Sequence, residues 1–394
     1  MNVLQVLPYL QAAGTERHAL ALSEGLLARG IGVRLLAPDG PLREEFIAAG
    51  IDHRAFPAFG ARFGPSLRGI EAGVKWALER GANLVHVHAG VEALYAVRRA
   101  LGRPGRGEAP PTSGGRVAVV FTVHSYFGRA PGVDYALAAW LGGRWADRVI
   151  AVSQADAARL RRFGLQRPGK LAVVHNGMPD PGPIPPEEVA ALRRSFAQEF
   201  QIDPAAILCL VVGRLARQKG IDVLIEALAQ YQGRPVFVLI AGDGELRAAL
   251  EEQARRLQVH AGASPPGKAA RVAFLGARAD VPRLLQAADL FLLPSRMEGL
   301  SLALVEAHAA GKAALVTDVG GNGEIVVDGQ TGRIVPSENP RALREALAAM
   351  AADSEQLAAW GQAARARYEA HFTLERMVVD TLRVYQQALA GGDP

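Results

Sequence analysis

The alternation of short apolar runs with longer amphipathic stretches constrains this chain more than any other feature of its sequence. The runs are rich in Val, Ile and Leu, and the stretches between them have helical periodicity along almost the whole length. Strands that alternate with helices in this way predict βαβ units, and therefore parallel sheets covered by helices. The predicted strands are 3–7, 32–37, 84–88, 117–123, 149–152 and 171–174 in the first half, and 207–212, 236–241, 272–275, 290–293, 314–317 and 332–335 in the second.

A cluster of proline and glycine at 179–186 interrupts this alternation and predicts a boundary between two domains. Such a cluster cannot continue a helix or an inner strand, and the alternation restarts after it. For 394 residues, two doubly wound α/β domains, 1–180 and 187–372, are the natural division. The tail 340–389 has a helical pattern almost throughout, and the insert 102–115 is predicted to be a mobile surface loop.

The composition excludes several classes of protein. With 49% hydrophobic and 21% charged residues, the chain is neither disordered nor fibrous. Its single cysteine, Cys209, excludes an intrachain disulfide and a thiolate metal cluster, which fits a reducing compartment. The start lacks a basic leader, and no apolar run approaches the length that spans a bilayer. We therefore expect a cytoplasmic protein, either free or held at the inner face of the membrane.

Basic residues are concentrated in the first half of the chain. Residues 1–180 carry 22 Lys and Arg against 14 Asp and Glu, whereas 181–394 carry 22 against 25. The basic half could favour a lipid surface, a phosphorylated substrate or nucleic acid, or it could simply be a solvated surface. No aromatic residues interleave with the basic ones as in a stacking platform, so we expect no nucleic-acid partner. The hypothesis is peripheral contact with an anionic membrane through Arg98, Arg99, Arg159, Arg161 and Arg162.

The stretch 295–311 follows a predicted strand and carries two carboxylates where a helix should begin. Glu298 lies in the loop and Glu306 about two turns further on, in a helix whose other face is apolar. Ser301 can cap this helix and Gly311 can end it. Free N–H groups at such a helix start suit a phosphate, and carboxylates accept hydrogen bonds from sugar hydroxyls. The simpler alternative is that Glu306 pairs with a surface base.

The stretch 211–220 also runs from an apolar strand into a helix start, and it carries two cations. Arg214 and Lys219 flank the turn and can reach one anion, because the forked guanidinium can bind two phosphate oxygens while the ammonium acts as a point charge. Ligands of open α/β sheets bind beyond the carboxyl ends of the strands. We therefore expect the turn 214–219 and the helix start near 300 to form one pyrophosphate pocket.

Taken in order, these stretches and several others resemble the retaining glycosyltransferases of family 4. The resemblance covers nearly the whole chain and implies the GT-B fold, in which two Rossmann-like domains face each other across a cleft. It also implies that a terminal helix, about 373–394, crosses back to the N-terminal domain. The matching motifs are AGTERH at 13–18, TVHS at 122–125, AVSQ at 151–154, VHNG at 174–177, VGRL at 212–215, QKG at 218–220, AGDG at 241–244, the glutamates of 298–306, GGNGE at 320–324 and DGQTG at 328–332.

The resemblance implies a role for each matching residue of the donor site. Arg214 and Lys219 would hold the diphosphate of a nucleotide sugar and stabilise the charge on the leaving group. Glu298 would contact the transferred sugar and Glu306 the ribose. As strand-end loop residues, Lys219 and Glu298 are expected outside the core. The other donor-binding positions, most of them acting through backbone amides, are Gly14, Gly213, Gly299, Leu300 and Ser301.

His124 would lie beside the sugar, near the acceptor, and completes the catalytic set with Arg214, Lys219 and Glu298. The alternative is a histidine that only satisfies its own hydrogen bonds at a strand end. Family members retain the anomeric configuration, and the leaving phosphate is thought to take the acceptor's proton. No metal or cofactor is expected. The donor is expected to be a UDP-sugar, with a GDP-sugar second, and the acceptor could be a glycan, a lipid-linked molecule or a small molecule.

Other functions fit the sequence less well. A dehydrogenase is disfavoured because the loop after the first strand lacks G-x-G-x-x-G. A GT-B-type epimerase or phosphorylase and a non-catalytic sugar-nucleotide-binding protein stay open as alternatives. The chain has Leu300 and Ser301 where many family members have Phe and Gly, which leaves the identity of the transferred sugar undetermined.

Overall fold

The computed structural model describes residues 1–11, 13–59, 63–102, 116–126, 131–203, 205–261 and 269–391. Almost all of the predicted surface loop at 102–115 lies outside these residues. The chain forms two compact units, one of Met1–Pro179 with Leu374–Pro394 and the other of Asp180–Thr373. Among the described residues, no helix combines the length and the apolar character needed to cross a membrane.

The first unit is built on a seven-stranded parallel sheet with the order β3-β2-β1-β4-β5-β6-β7. Its strands are β1 Asn2–Val6, β2 Gly32–Ala37, β3 Asp52–Ala55, β4 Leu84–His88, β5 Ala118–Val123, β6 Arg148–Ala151 and β7 Leu171–Val173. Its helices are α1 Gly14–Leu27, α2 Arg43–Ala48, α3 Phe63–Glu79, α4 Val91–Ala100, α5 Pro131–Trp145, α6 Gln154–Arg162 and the last helix of the chain, α15 Leu374–Ala390.

Strand β3 is the one strand of this sheet that the sequence did not predict. It lies at the sheet edge, where it pairs only with β2, and its residues DHRA are mostly exposed or half-buried. An edge strand needs no continuous apolar run because one side and much of both faces meet water. Periodicity therefore gave no signal for it.

Helices cover both faces of the first sheet. Helices α3 to α6 pack over one apolar cluster, and α1, α2 and α15 pack over the other. The terminal helix α15 belongs to this second layer, as the resemblance implied, with Met377, Val378 and Tyr385 buried against α1 and the sheet. Its start is fixed by a hydrogen bond of 2.9 Å from the Leu374 amide to the carbonyl of Met178.

The second unit is built on a six-stranded parallel sheet with the order β10-β9-β8-β11-β12-β13. Its strands are β8 Ile207–Val212, β9 Val236–Ala241, β10 Ala270–Gly276, β11 Leu290–Leu293, β12 Ala313–Thr317 and β13 Gly332–Val335. Its helices are α7 Pro186–Phe200, α8 Ile221–Ala229, α9 Arg247–Arg256, α10 Val281–Ala287, α11 Leu302–Ala309, α12 Asn322–Ile325, α13 Pro340–Ala352 and α14 Ser354–His371. All six strands were predicted. The four inner strands β8, β9, β11 and β12 are buried almost throughout and therefore read as apolar runs, whereas the edge strands β10 and β13 are only partly buried.

Candidate active site

Each sheet has one point at which its strand order reverses. In the first sheet it lies between β1 and β4, and in the second between β8 and β11. The loops that leave two such strands turn to opposite faces of the sheet, which opens a crevice beyond the strand ends. In both units, the residues that the sequence marked as functional gather at this crevice.

In the second unit, the loops after β8 and β11 lie against each other. The amide of Arg296 donates to the carbonyl of Gln218 at 2.7 Å, and the side chain of Gln218 donates to the carbonyl of Met297 at 3.1 Å. Gly220 has a φ of +64°, and a Cβ at this position would collide with the carbonyl of Pro294. The turn 214–219 and the segment before α11 are thus neighbours at one strand-order reversal.

Lys219 and Glu298 form an ion pair between these two loops. The Nζ of Lys219 lies 2.7 Å from Oε1 of Glu298, and the hydroxyl of Ser295 donates to the same oxygen at 2.6 Å. The side chains are 18% and 5% exposed. The expectation that Glu298 lies outside the core was wrong, because this carboxylate is buried and satisfied by its two partners. The aliphatic part of Lys219 packs over Gly213, where a Cβ would lie 3.3 Å from Cε.

Arg296 also links the same two loops. Its two terminal nitrogens each donate to one carboxylate oxygen of Asp222 at 2.7 Å, and its Nε donates to Glu338 at 3.0 Å. One of them also donates to the carbonyl of Arg217 at 3.0 Å. The hydrogen bonds from Arg296 lower the pKa of Asp222 below its usual range. Such a bidentate arrangement fixes the geometry of the turn.

Arg214 pairs with a residue of a neighbouring loop, and its predicted contact with a diphosphate stays a prediction. It is 72% exposed, and its Nε and Nη2 donate to Oε2 of Glu245 at 3.1 and 2.9 Å. Glu245 follows β9, so Arg214 lies over the neighbouring loop, and no hydrogen bond among the described residues joins it to Glu298. An exposed pair of this kind is weak and can open for a stronger anion.

The other predicted donor residues of this unit lie around the start of α11. Gly299, Leu300 and Ser301 are buried just before the helix, and the carbonyl of Gly299 accepts a hydrogen bond of 2.6 Å from the Gly321 amide. Ser301 occupies the N-cap, but the prediction that its side chain caps the helix was wrong, because it makes no capping hydrogen bond. Glu306 is half-buried on α11.

In the first unit, four histidines gather where the strand order reverses. His86 and His88 alternate on β4 and point to one face, His124 follows β5, and His18 lies on α1 after β1. Their rings are in contact, with centroids 4.0 Å apart for His86 and His88, 5.2 Å for His88 and His124, and 4.7 Å for His18 and His124. Gly14, the predicted donor-binding glycine, is the exposed first residue of α1.

Hydrogen bonds determine which ring nitrogens of this histidine cluster carry protons. Nε2 of His88 lies 2.6 Å from Oε1 of Gln5, which can only accept, so this nitrogen carries the proton. In a neutral ring, Nδ1 of His88 must then accept, and its partner at 3.0 Å is Nε2 of His124. His124 therefore carries its proton on Nε2 and keeps Nδ1 as its basic nitrogen. His86 bonds to Tyr385 at 2.7 Å and to Thr122 at 2.6 Å.

Burial keeps these imidazoles neutral. Loss of water lowers the pKa of His86, His88 and His124 well below the usual value, and that of His18 to about 4. Within the described ranges, His18, His88 and His124 offer ring nitrogens that lie within 4.8 Å of one another. Neutral imidazoles are also ligands that Zn²⁺ accepts, so the expectation that no metal binds stays a prediction.

A buried aspartate holds the loop that carries His124. Asp156 is fully buried at the start of α6, and it accepts hydrogen bonds from Ser125 at 2.6 Å, from Ser153 at 2.8 Å and from Tyr135. Ser125 adopts a φ of +74°, an uncommon conformation for a residue with a side chain. The aspartate thus stabilises the strained residue that directly follows His124.

Sequence reasoning did not assign functions to Gln5, His18, His88, Asp156 and Ser295. One signal was present for two of them: Gln5 and His88 are polar residues inside buried strands. A buried polar side chain in a strand needs a partner, and here the partners are other strand and loop residues. Ser295 and Asp156 gave no such signal, because their roles depend on contacts between separate loops.

Comparison with known proteins decides the family. A model of glycosyltransferase family 4 matches residues 12–180, and a model of the glycosyl transferases group 1 matches residues 193–367. The chain belongs to the family 4 glycosyltransferases.

Curated family members align with parts of the chain. A D-inositol 3-phosphate glycosyltransferase of Segniliparus rotundus is 31% identical over 63% of this chain, and the alignment spans 54% of that relative, about half its length. An alpha-maltose-1-phosphate synthase of Mycolicibacterium smegmatis is 29% identical over 69% of this chain and 73% of its own.

Solved structures confirm the GT-B fold. The crystal structure of HepE from Anabaena, in complex with UDP and glucose, superposes with a TM-score of 0.80. It covers 98% of this chain and 99% of its own at 21% identity. Sucrose-phosphate synthase from Thermosynechococcus elongatus superposes with a TM-score of 0.77, at 20% identity and full coverage of both chains.

Proposed function

We propose that this family 4 member is a retaining, metal-independent glycosyltransferase that moves a hexose from a nucleotide diphosphate sugar to an acceptor. The observation that carries the proposal is the ion pair of Lys219 and Glu298 at the strand-order reversal of the second sheet. One group can bind a phosphate and the other a sugar hydroxyl. A nucleotide sugar presents both, joined by one bond.

The free hydrogen-bonding capacity of the pair supports this assignment. The ammonium of Lys219 has three N–H donors, and its bond to Glu298 uses one, which leaves two for diphosphate oxygens. Both hydrogen bonds to Glu298 end on Oε1, so Oε2 can accept from a hydroxyl of the transferred sugar. Arg214 would exchange its exposed pair with Glu245 for the more strongly charged diphosphate.

In the proposed reaction, negative charge develops on the leaving diphosphate. The bond between the anomeric carbon and the diphosphate oxygen breaks, and the acceptor oxygen forms a new bond on the same face of the sugar. The acceptor's proton passes to the departing phosphate oxygen. Lys219 and Arg214 stabilise the charge that grows on the diphosphate, which is where electrostatic catalysis acts most strongly. These cations fill the role that a divalent metal plays in other transferases.

His124 would bind a sugar hydroxyl as a neutral hydrogen-bonding group. Its pKa is lowered well below the usual value by burial, so it adds no positive charge at neutral pH. Gly14, Gly213, Gly299, Leu300, Ser301 and Glu306 would complete the donor site, with Glu306 on the ribose. We infer a UDP-sugar as donor, supported by the complex of HepE with UDP and glucose, with a GDP-sugar second.

Binding and turnover of a panel of nucleotide sugars test the proposal. A ligand that binds only the folded state raises the melting temperature, so UDP, UDP-sugars, GDP and GDP-sugars are compared in thermal unfolding. The sugar that stabilises best is then offered with a panel of glycan, lipid-linked and small acceptors. NMR of the product gives its anomeric configuration, and the assay is repeated with a chelator.

Each outcome has a definite meaning. Retained configuration and full activity with chelator support the proposal, and inversion or loss of activity would overturn the corresponding part. Donor binding without transfer or hydrolysis across the whole acceptor panel would favour a non-catalytic binding protein. Conversion of the donor sugar without acceptor would favour an epimerase, and phosphorolysis of a glycan would favour a phosphorylase.

A further inference from the structure

Helix α5 presents an apolar stripe to solvent although its other face is already buried. Its inner face packs into the core of the first unit through residues such as Ala138 and Leu141. Its outer face carries Val133, Leu137 and Trp140, which are exposed by 58%, 39% and 63%. These three residues recur at helical spacing and form one stripe. A surface helix normally places polar residues there.

Aromatic residues of the neighbouring helices extend this stripe into a patch. Tyr95 on α4 is 37% exposed and lies 5.5 Å from the ring of Trp145, which in turn lies 6.5 Å from Trp140. On the other side, Phe163 is 40% exposed and follows α6, next to the start of α5. We call Tyr95, Val133, Leu137, Trp140 and Phe163 the α5 patch.

The three helices that carry the α5 patch hold more arginines than acidic residues. Helices α4, α5 and α6 carry six arginines and three acidic residues, and one of those acids, Asp156, is fully buried. One of these arginines contacts an aromatic residue of the α5 patch, since the Arg99 guanidinium lies 5.9 Å from the centre of the Tyr95 ring. The exposed arginines of these helices are Arg99, Arg144, Arg159, Arg161 and Arg162.

We propose that the α5 patch docks on the surface of an anionic lipid bilayer. Trp and Tyr are favoured at the boundary between headgroups and acyl chains, where apolar side chains such as Leu, Val and Phe can enter. The arginines are placed to bind anionic headgroups at the same time. The proposal does not depend on the glycosyltransferase reaction.

The charge of the α5 patch argues against two other occupants. A second copy of the chain joined by a two-fold axis would bring like-charged arginines together, because the same surface meets itself. A nucleic acid would pair with the arginines but would leave the aliphatic part of the stripe exposed. A bilayer with anionic lipids matches both the apolar and the basic part.

Vesicle flotation tests the proposal with the chain of 394 residues. The wild type is mixed with phosphatidylcholine vesicles that contain or lack phosphatidylglycerol, at low and at high salt. We expect flotation only with the anionic vesicles, and weaker flotation at high salt. The double variant Val133→Ser/Trp140→Ser should lower the bound fraction by about tenfold, and Arg161→Gln/Arg162→Gln should lower it at low salt only.

A matched control comes from the opposite layer of the same unit. Ile47 and Val379 are 41% and 37% exposed, on α2 and α15, so Ile47→Ser/Val379→Ser removes two exposed apolar side chains outside the α5 patch. This control should float like the wild type. Thermal unfolding of every variant checks that the fold is intact, and we expect it to be, since all six positions are at the surface.

Four results would overturn the proposal. One is absence of flotation by the wild type at low salt. Another is equal loss of flotation in the α5-patch variant and in the control. The third is that light scattering shows a dimer that Val133→Ser/Trp140→Ser breaks, while flotation of this variant is unchanged. The fourth is that the chain binds single-stranded DNA through the α5 patch, while flotation of Val133→Ser/Trp140→Ser is unchanged.

Discussion

The loops of the second sheet hold a charged pair, Lys219 and Glu298, whereas the same place in the first sheet holds neutral histidines. Both groups lie where the strand order reverses, and both are largely buried. In the second unit each charge is compensated by its partner. In the first, burial removes the charge by lowering the pKa of the rings. One architecture thus supplies both a charged site, suited to a diphosphate, and an uncharged hydrogen-bonding site, suited to hydroxyls.

Substitutions in the ion pair of Lys219 and Glu298 should have the largest effect. They separate what the pair contributes to sugar transfer from what it contributes to the free energy of unfolding. Lys219→Ala removes the proposed diphosphate contact and should lower transfer on the order of 100- to 1000-fold. It also leaves Glu298 buried without its cation, which should cost about 2 kcal/mol of unfolding free energy. In the double variant Lys219→Ala/Glu298→Gln, stability should return while transfer stays low. Unfolding in denaturant and an initial-rate assay measure the two effects, and recovery of transfer in the double variant would contradict the assignment.

Substitution of His88 tests whether this residue determines which ring nitrogen of His124 carries the proton. His88→Leu removes the acceptor for Nε2 of His124, and we expect kcat to fall by about tenfold to a hundredfold, as when a residue that orients a functional imidazole is lost. His88→Asn places an oxygen near the former Nδ1 and should recover much of the rate. KM for the donor should change little in both variants. If the two substitutions lower kcat equally, His88 fills space and does not set the tautomer.

The approach of the two loops can be changed without altering any charge. Gly220→Ala meets the carbonyl of Pro294 and also forces a side chain into a left-handed conformation. We expect a loss of about 2 kcal/mol of unfolding free energy and slower transfer. Gly329→Ala is the control, because its φ is +72° and its Cβ would meet nothing within 4 Å. Only the conformational cost of about 1 kcal/mol applies there. Equal losses in both variants would mean that the loops need not be so close.

The neutral histidines predict how stability depends on pH. Their pKa is lowered in the folded chain, so between pH 6.5 and about 4 the unfolded chain binds more protons than the folded one. Unfolding free energy should therefore be complete above pH 6.5 and fall with pH below it, by about 1.4 kcal/mol per pH unit for each proton. Denaturant unfolding between these limits measures the slope. It should be shallower in His88→Asn, and an unchanged slope would show that the cluster does not control acid stability.

The smallest expected effect concerns a fifth histidine, His308, which is also buried and neutral. His308 is fully buried on α11, neither of its ring nitrogens has a hydrogen-bond partner among the described residues, and burial lowers its pKa to about 3. His308→Met should raise the unfolding free energy by about 1 kcal/mol at neutral pH, because a buried unsatisfied polar group is removed. The gain should grow on acidification. A decrease in the unfolding free energy at both neutral and acidic pH would show that the imidazole of His308 has hydrogen-bond partners.

Motifs that follow buried strands could be read from the sequence, and contacts between loops could not. The apolar runs predicted all strands except β3, and the motifs around Lys219 and Glu298 marked one common site because parallel strands end at one edge. The pairing of Arg214 with Glu245 depends on side-chain placement between loops. The contact of His18 with His88 likewise depends on strand order, which a single sequence does not state. The histidine cluster was thus visible only once β1, β4 and β5 were neighbours.

Helix α15 completes the first unit from the far end of the chain. Met377, Val378 and Tyr385 fill its core, and Tyr385 holds His86. During synthesis, the ribosome therefore makes all seven strands of this unit, and then the whole second unit, before the last helix emerges. A chain that stopped at Thr373 would leave uncovered the part of this face that α15 covers, and quality-control proteases would meet that apolar surface first.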